Sequence, residues 1–86
     1  MPGPRGSGGM SERIDARGLL CPLPVLKLRK RLLSLSPGAT VILVATDRAA
    51  AIDVPHFCAE AGHHLRETRD LGAGATEYTV ERGPDA

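Results

Sequence analysis

Residues 17–35 read RGLLCPLPVLKLRKRLLSL, a stretch in which one cysteine and two prolines precede a leucine-rich helical pattern. From Pro22 to Leu35 the apolar side chains recur on one side of a helical wheel, and most of the lysines and arginines fall opposite them. The pattern therefore predicts an amphipathic helix over 22–35 that covers a hydrophobic core. Pro37 and Gly38 end this helix and turn the chain.

The segments on either side of this helix favour strands. Residues 12–16 (ERIDA) predict a short opening strand. Residues 40–45 (TVILVA) are continuously apolar and β-branched, which is typical of a central strand buried on both faces or nearly so. A helix between two such strands predicts a right-handed crossover that leaves the strands parallel.

The rest of the chain predicts one more helical region and a hairpin. Residues 48–62 favour a broken helix that Thr46 and Asp47 can cap at its start. Asp53 caps the second piece, Pro55 lies in its first turn and Gly62 ends it. Residues 63–68 and 76–82 alternate as strands do, around a glycine-rich hairpin loop at 70–75. We predict the α/β (α+β) class: a two-layer sandwich in the order β-α-β-α-β-β, with a four-stranded mixed sheet and two helices on one face.

Length and composition limit the domain count and the classes of function. The chain has 86 residues, a formal net charge of +1 and only 2% aromatic residues. We expect a flexible leader at 1–11, a single domain at 12–82 and a frayed terminus at 83–86. Few aromatics argue against a stacking platform for single-stranded nucleic acid, and the balanced charge gives no general footprint for nucleic acid.

The number of cysteines indicates the cellular compartment. Two cysteines without a signal-peptide pattern predict a cytoplasmic protein with reduced thiols, and no apolar run approaches the roughly 18 residues of a membrane span. We therefore expect no membrane association and no direct nucleic-acid binding. A monomer with transient partners is the expected state.

Cys21 is the candidate reactive residue because it falls at the predicted start of the first helix. A helix N-terminus stabilises a thiolate, so we expect the pKa of Cys21 to be lowered. Pro22 and Pro24 would hold the helix start rigid, Leu23 would donate its N–H to the sulfur, and Gly18 would shape the preceding turn. The sulfur would lie beyond the carboxyl end of the first strand, where open α/β sheets place ligands.

Residues around Cys21 could also dock a partner. Small and apolar residues between the first strand and the first helix would present an apolar surface, and basic residues would add positive charge nearby. The candidate docking residues are Arg17, Leu19, Leu20, Lys27, Lys30 and Arg31. An alternative function follows from the same residues: a non-enzymatic binding or regulatory module that docks RNA or an acidic protein on the basic helix face.

The remaining cysteine and histidines carry weaker signals. Cys58 falls on the apolar face of the second helix and is predicted to be core. His63 and His64 are predicted to begin a strand and face opposite sides of the sheet. No CxxC pair is present and no metal site is expected. A third alternative is a thiol redox protein, which would need Cys21 and Cys58 close enough to form a disulfide.

Two sequence blocks resemble a known family. IDARGLLCPLPVLKLRKRL (14–32) is similar to the first signature of the TusA-like sulfurtransferases, also called SirA-like or YhhP-like, in which Gly-x-x-Cys-Pro-x-Pro opens the first helix. ATDRAAAIDVPHFCAEAGHHL (45–65) resembles the family's second block, on Thr46, Asp47, Asp53 and Pro55. The resemblance covers about residues 12 to 82.

This resemblance implies a fold, an activity and partners. It implies a β-α-β-α-β-β sandwich like the C-terminal domain of translation initiation factor 3. It also implies that Cys21 accepts sulfane sulfur as a persulfide and relays it, with no cofactor beyond that transient group. The implied donor is a cysteine desulfurase or a rhodanese-like protein, and the acceptor a downstream relay protein. The pathway stays open between tRNA thiolation, molybdenum-cofactor assembly and sulfur metabolism, because Leu20 stands where some tRNA-pathway members carry a basic residue.

Overall fold

The structure is a computed structural model that describes residues 11–84. Its secondary structure follows the predicted order β-α-β-α-β-β. The elements are β1 (Ser11–Ala16), α1 (Leu23–Leu33), β2 (Thr40–Ala45), α2 (Ala50–Ala61), β3 (His64–Gly72) and β4 (Ala75–Glu81). Ser11, assigned to the leader by the sequence, is the first residue of β1 and pairs with Thr40. The rest of the predicted leader, and residues 85 and 86 of the predicted frayed terminus, lie outside the described residues.

The four strands form one mixed sheet in the order β1-β2-β4-β3. β1 and β2 are parallel, as the crossover through α1 requires, and β4 runs antiparallel to both β2 and β3. The apolar β2 therefore lies inside the sheet, whereas the largely exposed β3 forms an edge. Within residues 11–84, no helix is long and apolar enough to cross a membrane.

Both helices pack on the same face of this sheet, which confirms the predicted layers. Alternate residues of the strands point toward the helices, so Leu43 of β2 lies between its register partners Ile14 and Tyr78. Leu28 and Leu32 of α1 are fully buried against this face. The core cluster consists of Ile14, Ala16, Leu28, Leu32, Val41, Leu43, Ala45, Ala50, Val54, Cys58, Tyr78 and Val80. Val44 is also buried, as expected for a central strand.

Helix α1 is shorter than the sequence predicts. Pro22 is its N-cap instead of its first residue, and Ser34 is its C-cap, with the Ser34 N–H directed to the Arg31 carbonyl at 3.1 Å. Leu35, predicted as the last helical residue, donates instead to the Leu32 carbonyl at 3.1 Å in a tighter turn. The predicted and observed helices differ by about one turn in total, at their two ends. There the backbone hydrogen bonds, and not the pattern of side chains, determine where the helix begins and ends.

Helix α2 is continuous, so the prediction that Asp53 caps a second helical piece is wrong. Asp53 donates its own N–H to the Ala49 carbonyl at 2.8 Å, which places it in the first turn of a helix already begun. Pro55 follows inside the helix and withholds only the N–H that the Ala51 carbonyl would accept. Gly62 ends the helix in the left-handed conformation, at φ 83°, as predicted.

The hairpin is longer and its loop tighter than predicted. β3 and β4 extend through most of the predicted loop at 70–75, leaving only Ala73 and Gly74 between them. Both loop residues have positive φ, 54° and 79°, the conformation of a two-residue hairpin turn of the primed type. Gly72 also has positive φ, at a point where the strand register shifts. The glycines therefore lie at an irregular strand end and in a tight turn, whereas the sequence pattern predicts one long loop.

Gly83 belongs to the packed domain, although the sequence predicts a frayed terminus from residue 83. It is buried, and its N–H is donated to Nδ1 of His63 at 3.1 Å. Burial lowers the pKa of His63, which favours the neutral ring that this hydrogen bond needs. His63 is buried and His64 is exposed, but only His64 begins β3; His63, predicted as a strand residue, lies just before it. The chain is therefore held in place through Gly83.

Replacing Gly83 with alanine is expected to lower the free energy of unfolding by about 1–3 kcal/mol. A Cβ on residue 83 would stand 1.7 Å from the Gly62 carbonyl oxygen, so the segment must move and its bond to His63 is lost. Urea unfolding measures the change, with Pro84→Ala as the control because Pro84 is exposed. Equal stability of Gly83→Ala and Pro84→Ala would contradict this packing.

Candidate functional site

Cys21 lies in the turn that joins β1 to α1, just beyond the carboxyl ends of the parallel strands. It is exposed, and it directly precedes Pro22, the N-cap of α1, through a cis peptide bond. The start of β4 lies at the same edge of the sheet, because Thr76 is the register partner of Ala45. The predicted placement of the thiol at this edge is confirmed.

Two residues that follow β2 hold the Cys21 loop in place. Thr46 Oγ1 accepts the N–H of Gly18 at 2.9 Å, and the Asp47 carboxylate accepts the N–H of Cys21 through Oδ2. Gly18 itself adopts a left-handed conformation, at φ 82°, which favours glycine at this turn. The sequence predicts that the Thr46-Asp47 pair caps the following helix, and the structure shows that the pair is also a backbone clamp across the two parallel strand ends.

Asp47 also supports the start of α2. Its Oδ1 accepts the Ala49 N–H at 3.2 Å, and its carbonyl accepts the Ala50 N–H at 3.1 Å. One carboxylate therefore joins the Cys21 loop to the N-terminal end of the second helix. This arrangement explains why an aspartate directly after β2 matters for a cysteine 26 residues earlier.

Replacing Asp47 with alanine is expected to lower the free energy of unfolding by about 1–2 kcal/mol, because the N–H groups of Cys21 and Ala49 lose their acceptor. Arg48→Ala is the matched control, since Arg48 is adjacent and exposed. Amide hydrogen exchange would report the loss locally, as faster exchange at Cys21. A variant as stable as the control, with unchanged exchange at Cys21, would contradict the clamp.

The Cys21 thiol contacts a second carboxylate. Its Sγ donates to Asp53 Oδ2 at 2.9 Å. This hydrogen bond raises the pKa of Cys21, and desolvation and the negative charges of Asp53 and Asp47 raise it further. The prediction of a lowered Cys21 pKa is therefore wrong. Asp53, predicted from the sequence only as a helix cap, is therefore in direct contact with the reactive atom.

The helix start does not offer the thiolate the donors that the prediction required. Pro22 and Pro24 have no N–H, and the Leu23 N–H is donated to the Leu20 carbonyl at 2.8 Å. Leu23 is therefore not a donor to the sulfur, contrary to the prediction. Pro24 is buried and holds this end of the helix by packing, whereas the exposed Pro22 contributes only its restricted φ.

Two basic residues expected near the thiol are engaged elsewhere. Arg17 forms a two-pronged ion pair with Asp15, at 2.9 Å and 3.0 Å, and Arg17 holds the pKa of that carboxyl at about 2. Lys27 lines an open groove of about 310 Å³ between α1 and β1. The groove is lined by Ile14, Lys27, Lys30, Arg31 and Ser34. The candidate basic docking residues of α1 therefore form a surface of their own, and Arg31 is paired there with Glu12 at 2.6 Å.

Exposed apolar residues flank Cys21. Leu20 is 69% exposed and Leu23 47% exposed, while Leu19 packs partly against the core. Ile52 of α2 is 74% exposed and is the neighbour in sequence of Asp53. Ile52 was not among the residues predicted from the sequence, because a helical wheel of a helix predicted to be broken assigns it to no defined face. The exposed apolar residues beside Cys21 in the chain are therefore Leu20 and Leu23, and Ile52 is exposed on the helix that supplies Asp53.

Other predicted residues lie away from the thiol. Cys58 is buried in the core, and desolvation raises its pKa to about 11, as expected for an inert thiol. Pro55 lines an open groove of about 560 Å³ between α2 and the hairpin. Cys21 lines neither this groove nor the basic one. Over residues 11–84, no group of three or more His, Cys, Asp or Glu side chains is arranged to hold a metal ion.

Comparison with known proteins gives consistent matches. A family model described as sulfurtransferase TusA matches residues 12–82. The sulfur carrier protein TusA of Pseudomonas paraeruginosa is 38% identical over 72 residues, which cover 84% of this chain and 90% of that protein. A Pseudomonas aeruginosa protein of the same name matches equally. The crystal structure of a SirA-like protein from Desulfitobacterium hafniense has a TM-score of 0.76 at 27% identity, over 86% of this chain and 99% of that one.

The family match covers every residue of the candidate site. The matched region contains Cys21, both flanking prolines, and the Thr46, Asp47 and Asp53 side chains that contact the Cys21 loop. The two sequence blocks that resemble the family are therefore joined in space around a single exposed thiol. On the extent of the family match and the identity to its curated relatives, the chain belongs to the sulfurtransferase TusA family.

Proposed function

We propose that this protein is a sulfurtransferase that carries sulfane sulfur on Cys21 as a persulfide and passes it to an acceptor protein. The observation that supports this most directly is the exposed Cys21 thiol, held by Asp47 and Asp53 at the family's motif position. Cys58, the other thiol, is 2% exposed and has no access to a partner.

Loading is a thiol–persulfide exchange at Cys21. Cys21 sulfur attacks the terminal sulfur of a persulfide on the donor protein, and a new sulfur–sulfur bond forms at Sγ. The sulfur–sulfur bond of the donor breaks, and the proton of the Cys21 thiol goes to the donor sulfur that leaves. Unloading repeats the same exchange with the acceptor's cysteine. No net oxidation occurs and no further cofactor takes part.

The surroundings of Cys21 suit transfer between two proteins. An exposed sulfur on a turn, next to the exposed Leu20, is accessible to a partner's surface. We propose a cysteine desulfurase or a rhodanese-like protein as donor and a sulfur-relay protein as acceptor, with the carrier a cytoplasmic monomer that binds each partner transiently. Exposed apolar side chains beside a reactive group are typical of such contact surfaces.

Intact-mass measurement tests this proposal. The protein is incubated without reductant with a pyridoxal-phosphate cysteine desulfurase and cysteine, and in parallel with a rhodanese and thiosulfate. The expected result is a gain of one sulfur atom from at least one donor, removed when dithiothreitol is added. A folded protein that gains no sulfur from either donor would refute the proposed function.

A further inference from the structure

The charges that face the Cys21 sulfur are negative. Asp53, from α2, accepts the thiol proton at 2.9 Å, and Asp47, from the segment after β2, accepts the Cys21 N–H. The negative charges of both carboxylates raise the pKa of Cys21. The basic residue of the same loop, Arg17, is paired with Asp15 instead. A site built to retain an anion would show the opposite arrangement.

A thiol and a persulfide interact differently with the Asp53 carboxylate. The thiol has a proton on Sγ and donates it to Oδ2. In a persulfide, Sγ is bonded to the second sulfur and carries no proton, and the terminal sulfur is anionic at neutral pH. Loading therefore removes a hydrogen bond from Asp53 and places a like charge near it, which costs free energy.

We propose that Asp53 sets the sulfur-transfer equilibrium of Cys21 by favouring the empty thiol over the loaded persulfide, so that the carrier releases its sulfur readily. This inference rests on the proposed function and adds a residue and a direction to it. Asp53 contacts the reacting sulfur, whereas Asp47 contacts the backbone and positions the loop. A carrier that binds its sulfur weakly gives it up to any acceptor whose persulfide is better stabilised.

The equilibrium can be measured with glutathione persulfide and glutathione. The Cys21 thiol and the glutathione persulfide anion give the Cys21 persulfide anion and glutathione. One sulfur–sulfur bond breaks in the glutathione persulfide, one forms at Sγ, and the thiol proton moves to the glutathione sulfur. Atoms and charge balance, so the loaded fraction at fixed concentrations of the two reagents gives the equilibrium constant.

Asp53→Asn is the decisive variant, because an amide keeps the shape of the side chain and removes its charge. We expect its equilibrium constant for loading to exceed that of the wild type about fivefold at low salt. This is the effect of removing the repulsion between two negative charges a few ångströms apart in a largely aqueous setting. The difference should shrink at 1 M salt, where the screening length falls to about 3 Å. Glu67→Gln, on the exposed edge strand β3, removes the same charge far from the chemistry and should match the wild type.

The reactivity of the empty thiol gives an independent readout. Asp53 raises the pKa of Cys21, so the rate of alkylation by iodoacetamide should rise with pH around a midpoint above the ordinary cysteine range. In Asp53→Asn the midpoint should fall, with faster alkylation at neutral pH. Asp53→Ala should change both measurements in the same direction, which guards against an effect peculiar to the amide.

Three results would overturn the inference. A loading constant of Asp53→Asn within twofold of the wild type, or below it, would refute the role of the charge. An equal rise in Glu67→Gln would attribute the effect to net charge alone. If the wild type itself fails to load from glutathione persulfide and from both protein donors, the proposed function fails, and the inference that rests on it fails with it.

Discussion

Replacing Cys21 with serine is expected to abolish sulfur loading, with no detectable persulfide after incubation with the donors. A hydroxyl cannot form a persulfide, and the fold should survive because the Cys21 side chain is exposed and lies outside the hydrophobic core. Intact mass and thermal unfolding measure the two effects on the same sample. The stability should stay within about 1 kcal/mol of the wild type, since the one exposed hydrogen bond of this side chain, to Asp53, can also be donated by a serine hydroxyl.

Cys58→Ala is the matched control for this variant. Cys58 is the second free thiol, but it is buried on α2 within the core cluster, and alanine is a small apolar replacement. The Cys58→Ala variant should load sulfur to the same extent as the wild type whenever it is folded. A Cys21→Ser variant that loads as well as the wild type would mean that the sulfur is carried elsewhere.

Replacing Leu32 with alanine is expected to produce the largest loss of stability among these variants, about 2–5 kcal/mol. Leu32 has no exposed surface and lies in the cluster that joins both helices to the sheet, so the smaller side chain leaves a cavity. For a domain of this size the melting temperature should fall by roughly 4–8 °C for each kcal/mol lost. Calorimetry or circular dichroism measures the change.

The adjacent residue supplies the control. Leu33 is 59% exposed, so Leu33→Ala removes the same atoms without opening a cavity and should change stability by less than about 0.5 kcal/mol. If the two variants unfold at the same temperature, the helix does not pack in the described orientation. Folded protein of either variant should still load sulfur, because neither side chain is among the contacts of Cys21.

The sequence predicts the central part of the fold because its patterns are strong and local. Leu28 and Leu32 recur at helical spacing on α1, and the continuous apolar, β-branched residues of β2 favour a strand over a helix. These two elements and the crossover rule are sufficient for the parallel pair β1-β2. The order β1-β2-β4-β3 adds a non-local pairing between β2 and β4, which no local pattern specifies.

Errors at element ends have separate physical causes. Pro55 suggests a break in α2, yet near the start of a helix a proline costs only one hydrogen bond. Gly72 and Gly74 suggest a loop, yet glycine also permits the positive φ of a register shift and a tight turn. Gly83 follows the last apolar residue of the pattern, and its burial depends on a contact with His63 that lies 20 residues earlier.

The reactive residue is predictable from local sequence, but its electrostatic environment is not. A cysteine followed by two prolines at a helix start is a local pattern, and it identifies Cys21. Asp53 lies 32 residues further along the chain, and its contact with Sγ exists only because α2 packs beside the Cys21 loop. A prediction from the local sequence considers the helix N-terminus and its N–H groups but not Asp53. It therefore gives the wrong direction for the shift of the Cys21 pKa.

Peptide mapping of the loaded protein shows which cysteine carries the persulfide. The wild-type protein is loaded, its sulfur groups are blocked by alkylation, and trypsin cleaves after Arg17 and Lys27 to release residues 18–27, which contain Cys21 but not Cys58. If Cys21 carries the sulfur, the additional sulfur is found on this peptide alone. Additional sulfur on residues 49–66, the peptide that contains Cys58, with none on 18–27, would contradict it.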